Sequence, residues 1–350
     1  MCGAGMSMHN ALLVVIDPTV EVQPALQKAA IFAQKSSHEL ILLGCVYDPY
    51  IAGDRFYDGP DLEHMRSKLL DERLDTLHAV ADPLRHKGLR VNCKVVWDNP
   101  LHEAIVRAAL EIQPDFVLKD AHHHSVLSRA LFTNTDWHLI RQCPAPLWLV
   151  KQLPIPDQAT VMAAVEPTHE HDEPAALDHK IIEQAQQLSV MFGNGLHLVH
   201  TFHMPTVAVV NPYAALPASA SPPSGYERNV EQAERFHADA MARLTKDLDC
   251  PADRIHLRQG HAAEMLPALA EELQAGIVVM GAVARSRLAR AIIGSTAERA
   301  LERIACDIVV VKPDGFVSPV DADSDAQGFV EKTEQTNTRT GNAVQTGKSR

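Results

Sequence analysis

The 350-residue chain is defined first by what it does not contain. No stretch approaches the roughly 18 consecutive apolar residues that a membrane span needs, so a transmembrane protein is not expected. The opening MCGAGMSMHN has no basic region followed by an apolar core, and Cys2 directly after Met1 fits neither a lipoprotein signal nor a myristoylation site. A cytoplasmic location is expected. Positive charge is in deficit, with 32 Lys and Arg against 44 Asp and Glu and a formal net charge of −12. That excludes nucleic-acid binding by phosphate neutralisation and favours a well-solvated surface. The six cysteines form no CxxC pair. Cys45, Cys93, Cys143 and Cys306 sit in or beside apolar runs and read as small buried residues kept reduced. Enzyme signatures are missing as well. There is no GxSxG elbow, no P-loop with a lysine after its second glycine, and no GxGxxG.

What is present is a repeat. LLVVIDPT (12–19) returns as VMAAVEPT (161–168), and WDNPLHEAI (97–105) as RQGHAAEML (258–266). DFVLKDAHHHSVLSRALFTNT (115–135) returns as GIVVMGAVARSRLARAIIGST (276–296), and Lys151 falls opposite Lys312. The offset grows from 149 to 161 residues. The additional residues fall in the Pro/Ala/Ser-rich stretch 203–225, which reads as a long loop.

Each copy alternates short Val/Ile/Leu-rich runs with amphipathic helical patterns. In the first copy, strands are predicted at 11–17, 39–47, 89–97, 115–121 and 146–151, with the composition of buried parallel strands. Leu62, Met65, Leu69, Leu77 and Leu84 form a helical core stripe. Val230, Ala233, Phe236, Ala240, Met241 and Leu244 form its counterpart. A further helix starts near Pro100. This alternation predicts two tandem α/β units, each an open five-stranded parallel sheet flanked by helices. They span 8–152 and 157–316, and the polar segment 317–350 is expected to be a disordered tail. The edge strands PLWLVK and DIVVVKP are expected to pair within one chain as an internal pseudo-dimer, with a homodimer of the whole chain as a further possibility.

Ligands in open parallel sheets bind beyond the carboxyl ends of the strands, where the winding direction switches. Two features lie there in each copy. The first strand ends in a carboxylate followed by Pro-Thr, Asp17 in one copy and Glu166 in the other. The fourth strand of the second copy runs into GAVARSRLARAIIGSTAER (281–299). Gly281 permits close backbone approach. Gly294-Ser295-Thr296 opens a helix whose free N–H groups suit an anion, with Arg285, Arg287 and Arg290 nearby. The same residues suit a plain strand-to-helix turn with an N-cap.

Gly281, then Gly294-Ser295 thirteen residues on, with Glu166-Pro167 closing the first strand, resembles the universal stress protein family. VVIDP (14–18), KVVWDNP (94–100) and TDWHLIRQCPAPLWLVK (135–151) resemble its tandem-domain bacterial subgroup. The resemblance covers about residues 11 to 314. It implies an adenine-nucleotide-hydrolase-like α/β fold, and a non-enzymatic role in stress adaptation exercised through a small ligand and unidentified protein partners. It also implies ATP or another adenine nucleotide as ligand, held by Glu166, Gly281, Arg285, Gly294, Ser295 and Thr296, with no metal. Two positions depart from the family pattern. Ala284 replaces its second glycine, and Glu166 its aspartate. In the first copy Asp120 stands opposite Gly281, His123 opposite Ala284 and Thr133 opposite Gly294. A carboxylate there repels phosphate, so that copy is expected not to bind nucleotide.

Two other functions stay open. One is a weak ATP hydrolase using the loop of the second copy. The other is a binder of an apolar or acyl-containing ligand covered by 203–225. His122 to His124, with His138 a turn or so into the following region, and His169 with His171 offer neutral imidazoles that can hold zinc or another transition metal, but the loop histidines equally read as polar exposed residues, and adjacent ones rarely share one metal.

Overall fold

The computed structural model describes residues 10–52, 60–121, 132–151, 159–168, 175–192, 195–203, 226–282, 295–321 and 330–333. The first half runs β1 (Ala11–Val15), α1 (Pro24–Lys35), β2 (Glu39–Val46), α2 (Pro60–His86), β3 (Val91–Trp97), α3 (Leu101–Ile112), β4 (Phe116–Asp120), α4 (Asn134–Gln142) and β5 (Leu147–Val150). The second half repeats the order with β6 (Thr160–Ala164), α5 (Ala175–Phe192), β7 (Leu196–Phe202), α6 (Tyr226–Thr245), β8 (Ile255–Gln259), α7 (Ala262–Glu272), β9 (Ala275–Gly281), α8 (Ser295–Arg303) and β10 (Asp307–Val311).

Within each half all strand pairs are parallel. The two sheets are continuous. β5 and β10 pair antiparallel, with Val309 opposite Trp148, so the order is β11-β3-β2-β1-β4-β5-β10-β9-β6-β7-β8. Strand periodicity sorts side chains onto two faces. Leu12, Val14, Phe116 and Trp148 pack under α1, α2 and α5, whereas Leu13, Val15, Val117 and Leu147 pack under α3, α4, α7 and α8. Each fully buried side chain of Leu or Phe size contributes about 1.5–3 kcal/mol.

Two helical stripes differ from expectation. Met65 and Phe236 are exposed. In α6 the inward face is His237, Ala240 and Met241, one residue on from Phe236. The 3.6-residue period allows only one phase, and two adjacent large residues cannot both take it. Part of the segment expected to lack structure is ordered. Val320 is buried in the core beneath α3, Arg107 donates to the Asp321 carbonyl, and β11 (Val330–Thr333) pairs antiparallel with β3. The unpaired edge of β3 supplies backbone donors and acceptors that a polar segment can use.

The seam between the halves carries buried charge. Asp307, at the start of β10, accepts from Lys28 Nζ of α1 at 2.5 Å, Trp148 Nε1 at 2.9 Å and the Lys151 backbone N–H at 2.9 Å. Lys151 Nζ reaches across to the carbonyls of Leu301 and Ile304 at 2.9 and 2.8 Å, at the end of α8. Lys312 Nζ does the reverse, donating to Ile140 and Arg141 at the end of α4 at 2.6 and 3.2 Å. Each half thus caps a helix C-terminus of the other, where carbonyls are unsatisfied and the helix dipole is negative. Burial pushes both lysines from 10.5 down to about 8. The described cysteines form no disulfide with one another.

Candidate functional site

The winding direction reverses between β6 and β9 in the second half and between β1 and β4 in the first. Each reversal opens a crevice at the carboxyl ends of the strands. In the second half Glu166 follows β6. Its backbone N–H donates to Asp178 Oδ1 at 2.8 Å, and its Oε1 accepts from Thr168 Oγ1. Oε2 lies 3.9 Å from His200 Nδ1. His200 is buried, with Nδ1 3.1 Å from the Val165 carbonyl and Nε2 2.9 Å from Nδ1 of His237. His237 is itself buried and stacks on Phe202 at 4.6 Å. This imidazole pair behind Glu166 was not singled out in the sequence. Its trace there is a histidine at a buried position of β7, a strand that also carries His197 and Thr201.

Gly281 closes β9. A Cβ built on it would lie 2.8 Å from Leu177 Cδ2 and 3.2 Å from Ile181 Cδ1 of α5. Close approach does explain this glycine, but helix packing alone is sufficient to require it. Gly281→Ala should therefore destabilise the protein by about 1–3 kcal/mol through overpacking, with or without ligand. A urea-denaturation cycle with Leu177→Ala should show coupling between the two sites, because the added methyl enters the space that the leucine vacates. Strict additivity would count against this packing role. Ser295 and Thr296 open α8, which places their backbone N–H groups among the unpaired donors of a helix N-terminus. Arg285, Arg287, Arg290, Gly294 and Ala284 lie outside the described residues, as does the loop 204–225.

The first half uses the same two positions differently. Asp17 Oδ1 accepts from the backbone N–H of Thr19 at 2.8 Å and from its hydroxyl at 2.6 Å. Asp120 Oδ1 accepts from the Ala25 N–H at 2.7 Å, so a carboxylate of the chain itself occupies the N-terminus of α1. Thr133 caps α4 in a reciprocal box. Its hydroxyl and backbone N–H both donate to Asp136 Oδ2 at 2.8 Å, and Asp136 N–H returns to Thr133 Oγ1 at 3.2 Å. Lys119 Nζ is 2.9 Å from Asp136 Oδ1, and both side chains are buried. The repeat places Met280 and Ala297 opposite these two, so the ion pair is peculiar to the first half. A cavity of about 200 Å³ lies between Asp17, Lys119, Asp120, Thr133 and Thr135. Burial raises Asp120 from 3.8 to about 6, against the lowering effect of the Ala25 N–H and Lys119.

These geometries have known relatives. The sequence model of the universal stress protein family matches residues 8–151 and again 171–312. The chain belongs to the universal stress protein family. Universal stress protein E of Escherichia coli (strain K12) is 32% identical over 321 residues, covering 91% of this chain and 99% of that protein. The universal stress protein E homolog of Haemophilus influenzae is 25% identical, covering 86% and 97%. Among solved structures, a protein of unknown function from Pseudomonas aeruginosa PAO1 matches with a TM-score of 0.67 and 24% identity, over 88% of this chain and 94% of that one. A universal stress protein from Archaeoglobus fulgidus matches at 0.57 and 16%, over 87% and 99%.

Both universal-stress-protein halves share the scaffold but not its charge. The second has a glycine at the end of its fourth strand, and the first a carboxylate. His138 stacks on His102 with ring centroids 4.0 Å apart, and burial, with the neighbouring His138 second, lowers the pKa of His102. No group of three or more metal-ligating side chains occurs among the described residues, and His122 to His124, His169 and His171 lie outside them. No described helix is long and apolar enough to cross a membrane.

Proposed function

We propose that this chain is a non-enzymatic stress-adaptation protein whose second half binds a small ligand, an adenine nucleotide such as ATP being the first candidate, and that it acts through protein partners. The observation that carries this reading is the contrast between the halves at one position. Gly281 leaves the end of β9 free of side-chain charge, whereas at the matching position of the first half Asp120 carries a carboxylate that occupies the N-terminus of α1. Glu166, one strand over, offers a carboxylate to a ribose or a base. Arg285 and Gly294 complete the anion site in this reading, with Ser295 and Thr296 supplying N–H groups.

Isothermal titration of the full chain with ATP and magnesium tests it. Binding should weaken at least ten-fold in Gly294→Asp, which sets a negative charge where the phosphates would lie. Asp120→Asn should leave ATP affinity unchanged. Phosphate release followed in the same samples separates a binder from a hydrolase. Turnover in wild type that disappears in Gly294→Asp would favour the enzyme.

A further inference from the structure

The first-half cavity has a chemistry opposite to that proposed for the second half. Its one cation among the described residues, Lys119, is neutralised by Asp136 and also donates to the Asp120 carbonyl at 2.9 Å. Asp17 and Asp120 are the carboxylates of the described wall. Asp120 Oδ1 is satisfied by the Ala25 N–H, but Oδ2 is withdrawn from bulk water and meets no hydrogen-bond partner among the described residues. A buried carboxylate oxygen without a donor is costly, and two things can relieve it, a proton or a donor brought by a ligand. The deprotonated phosphates of a nucleotide bring neither, and meet like charge.

We infer that the first half is a binding site for a small primary ammonium compound, whose –NH₃⁺ donates to Asp120 Oδ2 while a short apolar stem lies against Val15, Ile16 and Leu101. The size agrees. A cavity of about 200 Å³ is smaller than the roughly 300–1,000 Å³ of sites for drug-sized ligands, and too small for a nucleotide. The charge agrees, since an ammonium beside a carboxylate makes a charge-assisted bond about twice as strong as a neutral one. The proton competes for the same oxygen. Asp120 faces Lys119 on β4, Lys28 and the Ala25 N–H on α1, and Asp307 on β10, and together with burial these leave it half protonated near pH 6. Ammonium binding should therefore weaken as the pH falls through that value.

The full chain titrated with n-butylammonium at pH 7.5, with butyrate and 1-butanol as probes of equal length, tests the assignment. Butylammonium should bind at least ten-fold more tightly than either. Asp120→Asn should cost at least ten-fold, while its amide oxygen still accepts from Ala25. A second reading needs no variant. The carboxyl ¹³C resonance of Asp120 in wild type should titrate at least half a pH unit lower when butylammonium is saturating. ATP with magnesium should not displace the amine. Butyrate binding as well as butylammonium, an unmoved Asp120 midpoint, or displacement by ATP would each overturn the assignment.

Discussion

Replacing Asp307 by asparagine should cost about 3–5 kcal/mol of folding stability, the range for removing one partner of a buried ion pair. The carboxylate holds three donors at once: Lys28 Nζ, Trp148 Nε1 and the backbone N–H of Lys151. Lys28 and Asp307 are almost completely buried, at 1% and 0% side-chain exposure, so water cannot replace the lost acceptor. An asparagine keeps one oxygen for the Lys151 N–H but turns an NH₂ toward Lys28, leaving a cation facing donors. Burial already lowers the Lys28 pKa, and Asp307 is the main influence opposing that shift. Adding Lys28→Met to Asp307→Asn should recover much of the loss, because the cost lies in the orphaned charge rather than in the absence of the pair. Chemical denaturation of the two single variants and the double measures this. A single-variant cost below about 1 kcal/mol would show that Asp307 does not organise the seam.

The second large effect is a gain of stability in alkali. Lys151 and Lys312 titrate near 8 in the folded chain and near 10.5 when unfolded. Below pH 8 both states hold the proton, and the folded state bears the full cost of two buried charges. Between pH 8 and 10.5 the folded lysines release their protons while the unfolded ones keep them. The unfolded state then binds more protons, so stability rises with pH in that window. From pH 7 to 10 the gain is about 2 kcal/mol for each lysine. The comparison that isolates it sets wild type against Lys151→Met/Lys312→Met, which lacks both titrations. The difference in unfolding free energy should grow across the window, and a flat difference would show that the buried amines keep their protons through it, with no lowered pKa in the folded chain. The neutral amine still has two N–H donors for the carbonyls of the opposite helix end, so the reciprocal caps survive its deprotonation.

The two effects share an origin. A chain that joins two α/β units edge to edge places the residues at its seam strands in the middle of an eleven-stranded sheet. Residues that are exposed in an isolated unit become buried there, and their charges must find partners in the other half. Lys28, Asp307, Lys151 and Lys312 all do so.

Much was legible from the residues. Parallel strands, tandem units and the switch-point positions follow from local pattern, because a Val-rich run between helical stripes has few ways to bury both its faces. The contrast between Asp120 and Gly281 was also legible, since the repeat aligns them directly. Other features were not. Lys28 lies in a helix beside Ala25, Ala29 and Phe32, where a lysine ordinarily reaches solvent, and nothing near it in sequence announces Asp307, 279 residues away. Gly281 suggested a phosphate cradle, yet it is also required by Leu177 and Ile181, which belong to a helix a hundred residues earlier. His237 rather than Phe236 faces inward, a choice of helix phase that depends on His200 across the packing layer.

By itself, the amino-acid order determined the elements, their pairing into two similar units and the place where a ligand can sit, because hydrophobic periodicity and chain connectivity are local properties. Only the tertiary structure decided which charges are buried, which carboxylate caps a helix and which oxygen of Asp120 meets no donor among the described residues. Those depend on solvent exclusion and on distances between residues far apart in the chain.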